Sequence, residues 1–145
     1  MPTSNDNLTL HGFEPYKEKK GEEYMGEEQL QHFKNLLTAW KTELMEEVDR
    51  TVSHMQDEAS NFPDPADRAS QEEEFSLELR TRDRQRKLVS KIDAALRRID
   101  EGEYGYCEVT GEPISLKRLD ARPIATMSLE AQERHERRER VHRDD

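Results

Sequence analysis

Two aspartates three positions apart, Asp64 and Asp67, are the first residues whose types and spacing suggest chemistry. One interpretation is helix capping: Asp64 suits an N-cap, Pro65 suits the first helical position, and Asp67 would meet the positive end of the helix dipole. The other is that a long element carries both carboxylates to a distant Mg²⁺ or to its basic surroundings. The two interpretations are compatible, because a cap that stiffens the loop also fixes where the second carboxylate points.

Basic residues form a second candidate site: Arg80, Arg82, Arg84, Arg86, Lys87 and Lys91. On a helix, the subset at 80, 84, 87 and 91 falls within about 60° of arc, while Arg82 and Arg86 face roughly the other way. Like charges at these spacings cost a few tenths of a kcal/mol per pair. The row is therefore either a solvated face or a binding surface for a polyphosphate or an acidic protein.

Cys107 is the only cysteine, so the chain cannot form an intramolecular disulfide, which favours a cytoplasmic protein. A zinc ribbon needs a second thiol three residues later and another pair about twenty residues further on. Those positions hold Thr110, Ser128 and Ala131. One thiolate, two hydroxyls and a methyl group cannot make a closed tetrahedral site, and the five histidines show no paired ligand spacing. We therefore predict no structural metal.

Other function classes receive little support. The sequence has no glycine-rich phosphate loop, nucleophile elbow or His-Glu metal helix, so we predict that the protein is not an enzyme. A net charge of −10 argues against general affinity for DNA or anionic membranes. No signal peptide and no run of about 18 apolar residues is visible, so we expect neither secretion nor membrane insertion.

The elements that must position these residues follow from apolar periodicity. With 32% hydrophobic and 39% charged residues, the chain is either disordered or built from thin, solvated helices. One stripe at helical spacing comprises Leu30, Phe33, Leu37, Trp40, Leu44, Val48, Val52 and Met55; the other comprises Leu77, Thr81, Leu88, Ile92, Ala95 and Ile99. The short proline-rich turn between them requires two antiparallel helices, each about 45 to 55 Å long.

The remaining segments predict a small knob. Turn residues between 104 and 119 indicate a hairpin, and Ser128 is an N-cap candidate for a last helix over 129–142. The predicted fold is mainly α, with a long antiparallel two-helix coiled coil projecting from a small globular knob. Its parts are an N-terminal arm over 1–26 that packs on the knob, the coiled coil over 27–102 with its tip at 61–69, and a zinc-finger-like segment without zinc ligands over 103–145.

Contacts of another kind must stabilise a knob that has no metal, since a structural zinc is worth on the order of 10 kcal/mol. We predict apolar and hydrogen-bonded contacts from seven residues: Tyr104, Tyr106, Val109, Ile114, Leu119, Ile124 and Met127.

Six stretches carry a family resemblance: Gly-Phe-Glu-Pro-Tyr (12 to 16), Gly-Glu-Glu-Tyr-Met (21 to 25), Glu-Val-Asp-Arg-Thr-Val (47 to 52), Asn-Phe-Pro-Asp-Pro-Ala-Asp-Arg-Ala (61 to 69), Gln-Glu-Glu-Glu-Phe-Ser-Leu-Glu-Leu-Arg (71 to 80) and Lys-Arg-Leu-Asp-Ala-Arg-Pro (117 to 123). Together they closely resemble the DksA/TraR family of bacterial transcription factors that enter the secondary channel of RNA polymerase. The likeness runs from about residue 12 to 131. Because three of the family's four zinc-binding cysteines are replaced, the chain looks like a cysteine-poor, zinc-independent paralogue.

The resemblance implies roles for particular residues. The tip residues Asp64, Asp67 and Ala69 would approach the polymerase active centre. Guanosine tetraphosphate (ppGpp) would bind between factor and polymerase, at positions that match Arg84, Lys87, Leu88, Lys91 and Arg122. One further basic contact of the family falls on Gln132, with Arg134 nearby. The degenerate zinc positions are those at 107, 110, 128 and 131.

The resemblance therefore predicts a monomeric, cytoplasmic regulator that binds RNA polymerase, acts with ppGpp to inhibit ribosomal RNA promoters and activates some amino-acid promoters. It would hold no stably bound cofactor and would bind no specific DNA sequence. Two alternatives stay open: a transcript-cleavage factor whose tip acids hold a second Mg²⁺, and a structural adaptor that self-associates through its coiled coil.

Overall fold

The computed structural model describes residues 13–59 and 65–144, without the side chains of 59, 65–67, 143 and 144. Four helices account for most of these residues: α1 (Glu27–Ala59), α2 (Pro65–Glu101), α3 (Leu116–Ala121) and α4 (Leu129–Asp144). No strand occurs in the described ranges, where an antiparallel bridge joins Tyr106 and Pro113. The mainly helical fold with two long helices is confirmed.

The chain divides into two compact units. One is Thr38–Asp93, and the other combines Met1–Leu37 with Ala94–Asp145. In the described part of the chain, no helix is both long enough and apolar enough to cross a membrane.

Within the Thr38–Asp93 unit, α1 and α2 pack against each other in antiparallel orientation. Four contacts cross between them: Lys41 Nζ to Asp93 Oδ1 at 2.7 Å, Gln85 Nε2 to Glu47 Oε2 at 3.4 Å, His54 Nδ1 to Glu78 Oε1 at 2.5 Å, and Gln71 Nε2 to the Glu58 carbonyl at 2.6 Å. As the residue number rises along α1, that of the partner falls along α2. The antiparallel pairing predicted from the short turn is therefore correct for this unit.

The predicted stripe on α2 was wrong at Leu77. Leu77 is 55% exposed, whereas the neighbouring Glu78 is mostly buried. The reason is geometric, because the residues of a helix that face a packed partner helix recur every seven positions. Counting back fourteen positions from the buried Ile92 gives position 78 and not position 77. The half-buried residues of this face are largely polar with long stems: Gln71, Phe75, Glu78, Arg82 and Gln85.

The other unit is built around side chains from α1, α3 and the segment between α2 and α4. Fully or almost fully buried members are Phe33, Leu36, Leu37, Tyr104, Ile114, Leu119 and Pro123. The rings of Phe33 and Tyr104 lie 5.7 Å apart, which places an α1 side chain against the segment that follows α2. Val109, predicted among the stabilising contacts, is 65% exposed, so that assignment was wrong.

The predicted hairpin between 104 and 119 was also wrong, since only the Tyr106–Pro113 bridge forms. The second half of the segment is α3, because the Ser115 hydroxyl accepts a hydrogen bond from the Arg118 N–H and so caps a helical turn. At α4 the predicted cap is present: the Ser128 hydroxyl accepts from the Ala131 N–H at 3.2 Å.

Candidate functional site

The basic row lies on the solvent-facing side of α2 within the Thr38–Asp93 unit. Arg84, Lys87 and Lys91 are exposed, and Leu88 between them is half-buried. None of the three cations has an ion pair or hydrogen bond to another described residue. Their charges are therefore accessible, which is compatible with both a solvated face and an anion-binding surface.

Arg82 does not share the solvent-facing side of the row. It is half-buried, and its Nε atom is buried without a hydrogen-bond partner among the described residues. Arg86 is exposed. Arg82 therefore belongs to the face between the helices, and Arg86 is left as a solvated cation outside the row.

The predicted tip lies largely outside the described residues. Asp64 is not described, and Asp67 is placed as part of α2 without its side chain. Ala69 is exposed in the first turns of α2. The capping role of Asp64 and the direction of the Asp67 carboxylate therefore stay predictions.

Arg122 lies in the other unit, directly after α3. It is exposed, and its backbone N–H donates to the Arg118 carbonyl at 2.7 Å. It lines a surface pocket of about 670 Å³ together with Lys117 and Arg118, while Glu112 and Glu130 supply two acidic groups. The side chain is thus accessible in a locally mixed electrostatic environment.

Three of the four degenerate zinc positions meet around one sulfur atom. Cys107 is 2% exposed. Burial acts to raise the pKa of its thiol, but hydrogen bonds from the Thr110 hydroxyl and from backbone N–H groups of Ser128, Thr110 and Val109 outweigh burial and lower the pKa to about 6. Hydrogen-bond donors, mostly backbone N–H groups, therefore surround the sulfur and stabilise a thiolate. We call this group of donors the cradle.

This cradle does not fit a zinc ion. The Thr110 hydroxyl accepts from the Glu112 N–H, and the Ser128 hydroxyl accepts from the Ala131 N–H, each at 3.2 Å. At position 131 a buried methyl group stands where a fourth ligand would be needed. One sulfur cannot hold a structural zinc, which requires four donor groups.

Hydrogen bonds between distant segments connect the same region. The Tyr24 hydroxyl bonds to the Gly105 carbonyl at 2.7 Å and also contacts the Ile114 carbonyl. The Tyr104 hydroxyl donates to the Pro123 carbonyl at 2.7 Å. Burial raises the pKa of Tyr24 to about 12 and raises that of Tyr104 further, so both hydroxyls keep their protons at neutral pH. Of the predicted contacts, Tyr104, Ile114 and Leu119 lie in the buried core.

One group had no counterpart in the sequence motifs. His54, Glu58 and Glu78 place potential metal ligands close together on α1 and α2. The four-residue step from His54 to Glu58 is visible in the sequence, but the third member becomes apparent only when the pairing of the helices is known.

Comparisons with known proteins agree with the resemblance. Residues 29–99 match the family described as DnaK suppressor protein DksA, N-terminal domain, and residues 102–137 match the prokaryotic dksA/traR C4-type zinc finger. The second match includes the positions where three cysteines are missing.

Relatives align over most of their length. The chain is 65% identical over 130 residues to the RNA polymerase-binding transcription factor DksA of Caulobacter vibrioides, covering 90% of this chain and 92% of that protein. Its identity to the factor of the same name from Salmonella typhimurium is 57% over 133 residues, covering 92% and 88%. The solved structure of transcription factor DksA2 from Pseudomonas aeruginosa matches with a TM-score of 0.77 and 44% identity, over 81% of this chain and 90% of that one. The chain therefore belongs to the DksA/TraR family.

Proposed function

We propose that this protein is a non-enzymatic transcription regulator that binds RNA polymerase through its secondary channel, in the cytoplasm and without binding promoter DNA. The observation that carries the proposal is the alignment over 92% of a relative named an RNA polymerase-binding transcription factor, at 65% identity. The net charge of −10 is consistent with a protein partner rather than with nucleic acid.

The long helices allow the protein to extend far into a channel of its partner. With 33 residues, α1 is about 50 Å long at a rise of about 1.5 Å per residue. In the proposed mechanism, the helix pair carries Asp64, which precedes α2, and Asp67, near the start of α2, toward the catalytic Mg²⁺ of the polymerase, where their negative charge alters the active centre. This destabilises open complexes at ribosomal RNA promoters.

The basic row is the proposed contact for ppGpp in the complex, at Arg84, Lys87 and Lys91, with Leu88 between them. Arg122, in the other unit, is the proposed fifth contact. Support comes from the exposure of the four cations and from the absence of an acidic partner for the α2 cations in the described structure. Gln132 donates to Glu136 at 3.1 Å and carries no charge, so we expect a weaker ppGpp response than a basic residue there would give.

Folding without zinc is part of the same proposal. The donor set around Cys107 does not fit the metal, and the hydrogen bonds of Tyr24 and Tyr104 join the segments that a metal would otherwise hold. A chelator should leave the helicity of the purified protein unchanged at room temperature. A loss of helicity on chelation would contradict zinc-free folding.

The tip is tested by transcription from a ribosomal promoter in vitro, with a zinc-selective chelator that leaves Mg²⁺ in place. Asp67→Asn should keep polymerase binding and lose inhibition, whereas Glu73→Gln, which removes a charge from an exposed position on α2, should inhibit like the parent. Equal inhibition by Asp67→Asn and the parent would rule out the tip role. Transcript cleavage in a stalled complex would instead identify a cleavage factor, and a stable dimer that ignores polymerase would identify an adaptor.

The ppGpp contact is tested in the same assay by adding the nucleotide. Lys87→Ala combined with Lys91→Ala should reduce the additional inhibition caused by ppGpp and leave inhibition without it nearly unchanged. Arg86→Ala is the matched control, because it removes an exposed cation of α2 that lies outside the row. If the double variant and the control respond equally to ppGpp, the contact is misassigned.

A further inference from the structure

A histidine and two glutamates form a compact group of potential ligands within the Thr38–Asp93 unit. His54 and Glu58 lie one turn apart on α1, and Glu78 lies on α2. The His54 Nε2 atom is 3.4 Å from Glu58 Oε1, and its Nδ1 atom is 2.5 Å from Glu78 Oε1. One donor atom from each residue lies within 4.8 Å of the others, and the described residues contain no second group of this kind.

The donor chemistry suits a divalent transition metal. Metal–ligand bonds of about 2.0 to 2.2 Å place donor atoms about 3 to 4.5 Å apart. The 3.4 Å from His54 Nε2 to Glu58 Oε1 falls in this range, whereas Glu78 Oε1 would have to move away from Nδ1 to bind the same ion as Nε2. Two carboxylates balance the charge of a divalent cation. The imidazole favours zinc and its neighbours over Mg²⁺ and Ca²⁺, which prefer oxygen ligands.

Burial supplies a second, independent reason for a ligand. The side chains of Glu58 and Glu78 are only 21% and 22% exposed, and the Oε2 atom of each is buried without a hydrogen-bond partner among the described residues. A carboxylate oxygen without a partner is costly to bury. His54 is 58% exposed, which leaves a path from solvent to the group.

A proton on His54 is the competing explanation, since an imidazolium could bond one carboxylate through each ring nitrogen. That arrangement satisfies both Oε1 atoms and leaves both Oε2 atoms without partners. A cation held by one ring nitrogen can bind both oxygens of a carboxylate, so it would provide partners for the Oε2 atoms that the proton leaves without any. We propose that His54, Glu58 and Glu78 form a binding site for a divalent transition-metal cation, with Zn²⁺ as the representative ion.

The position of the site indicates what binding would do. Glu58 immediately precedes the last residue of α1, so the cation would join the last turn of α1 to α2. Helix ends open more easily than helix centres. The bound ion would oppose opening at this end of the helix pair, and this consequence does not depend on the proposed function.

The test is a calorimetric titration of ZnCl₂ into the full chain after chelator treatment and buffer exchange, with Mg²⁺ in a parallel titration. The proposal predicts one Zn²⁺ per chain, at least tenfold weaker binding in His54→Gln and in Glu78→Gln, and weaker binding of Mg²⁺ than of Zn²⁺. His135→Gln is the matched control: His135 lies 3.0 Å from Glu139 on the same helix, and no third ligand joins this pair in the described structure. Cys107→Ser controls for binding by the thiolate.

Both controls should bind Zn²⁺ within twofold of the parent. An equal loss in His135→Gln, a loss confined to Cys107→Ser, or Mg²⁺ binding as tight as Zn²⁺ binding would overturn the proposal. A direct readout is the NMR signal of the His54 ring in the parent protein. A shift of this signal by Zn²⁺ at constant pH supports the site, whereas a signal that responds to pH and not to Zn²⁺ shows a proton bridge. If His54→Gln does not fold, Glu78→Gln and the ring signal decide the result.

Discussion

Gly105 offers a sharp test of how hydrogen bonds hold the region around Cys107 together. Its φ angle is +92°, and a Cβ atom built there would lie 2.9 Å from both the Tyr24 hydroxyl oxygen and the Met25 Cε atom. The Met25 methyl group is the end of a flexible chain and can move. The Tyr24 hydroxyl cannot move without weakening its bonds to the Gly105 and Ile114 carbonyls. Gly105→Ala therefore separates two segments that lie about 80 positions apart in the sequence.

Gly111 provides the matched control, because its φ angle is +77° and a Cβ atom there would meet nothing within 4 Å. Alanine at a positive φ costs about 1 to 2 kcal/mol at either site. Overpacking adds about 1 to 3 kcal/mol at Gly105 alone. We expect a loss of about 2 to 5 kcal/mol for Gly105→Ala and of about 1 to 2 kcal/mol for Gly111→Ala.

Hydrogen exchange at the Ile114 amide reports this difference locally, because that N–H donates to the Gly105 carbonyl at 2.7 Å. If exchange proceeds by opening of the unit, an excess of 1 to 3 kcal/mol corresponds to about 5- to 150-fold faster exchange in Gly105→Ala than in Gly111→Ala. Equal exchange rates in the two variants would refute the idea that the tyrosine contact holds the segment. Urea unfolding of both variants gives the corresponding loss in stability.

Three further predictions concern stability, each measured by urea unfolding. Arg82→Leu should raise the free energy of unfolding by about 1 to 3 kcal/mol, because it removes a buried Nε that lacks a described partner; a loss of stability would contradict this. Leu119→Ala, at a fully buried residue, should cost about 2 to 5 kcal/mol, and Val109→Ala, at an exposed one, should stay within about 0.5 kcal/mol. The parent should be more stable than Cys107→Ser, and this difference should be largest at pH 9 and shrink as the pH falls to 6. The reason is that folding lowers the pKa of the thiol from 9.0 to about 6. A constant difference over this range would show that the thiolate is not stabilised.

Local patterns predicted the helices because each pattern repeats many times. The observed α1 and α2 end within about one residue of the limits expected from the apolar stripes and the proline-rich turn. The face of α2 was misassigned because Leu77 is apolar and position 78 is not. The choice between them depends on the seven-residue repeat that packing imposes, and that repeat is set by the partner helix.

The site was predictable only where chemistry depends on residue type at a known spacing. The missing thiols at 110, 128 and 131 were sufficient to argue against zinc, and the structure adds that the two hydroxyls there are occupied by backbone donors. Tyr24 contacts Gly105 across a separation of 81 positions in the sequence, and the Tyr16 N–H contacts Asp120 across a separation of 104 positions. No local pattern encodes such pairs, because they form only once the fold has brought the segments together.

The low hydrophobic fraction has a structural counterpart in the Thr38–Asp93 unit. Among the described residues, Glu58, Glu78, Arg82 and Gln85 each have a buried polar atom without a partner, and all four belong to this unit. Unpartnered polar atoms lower stability and make local opening easier. The helix pair is therefore held less firmly here than at Leu44 and Ile92, which are almost fully buried. A partner or cation that satisfied these atoms would stabilise this part of the helix pair against local opening.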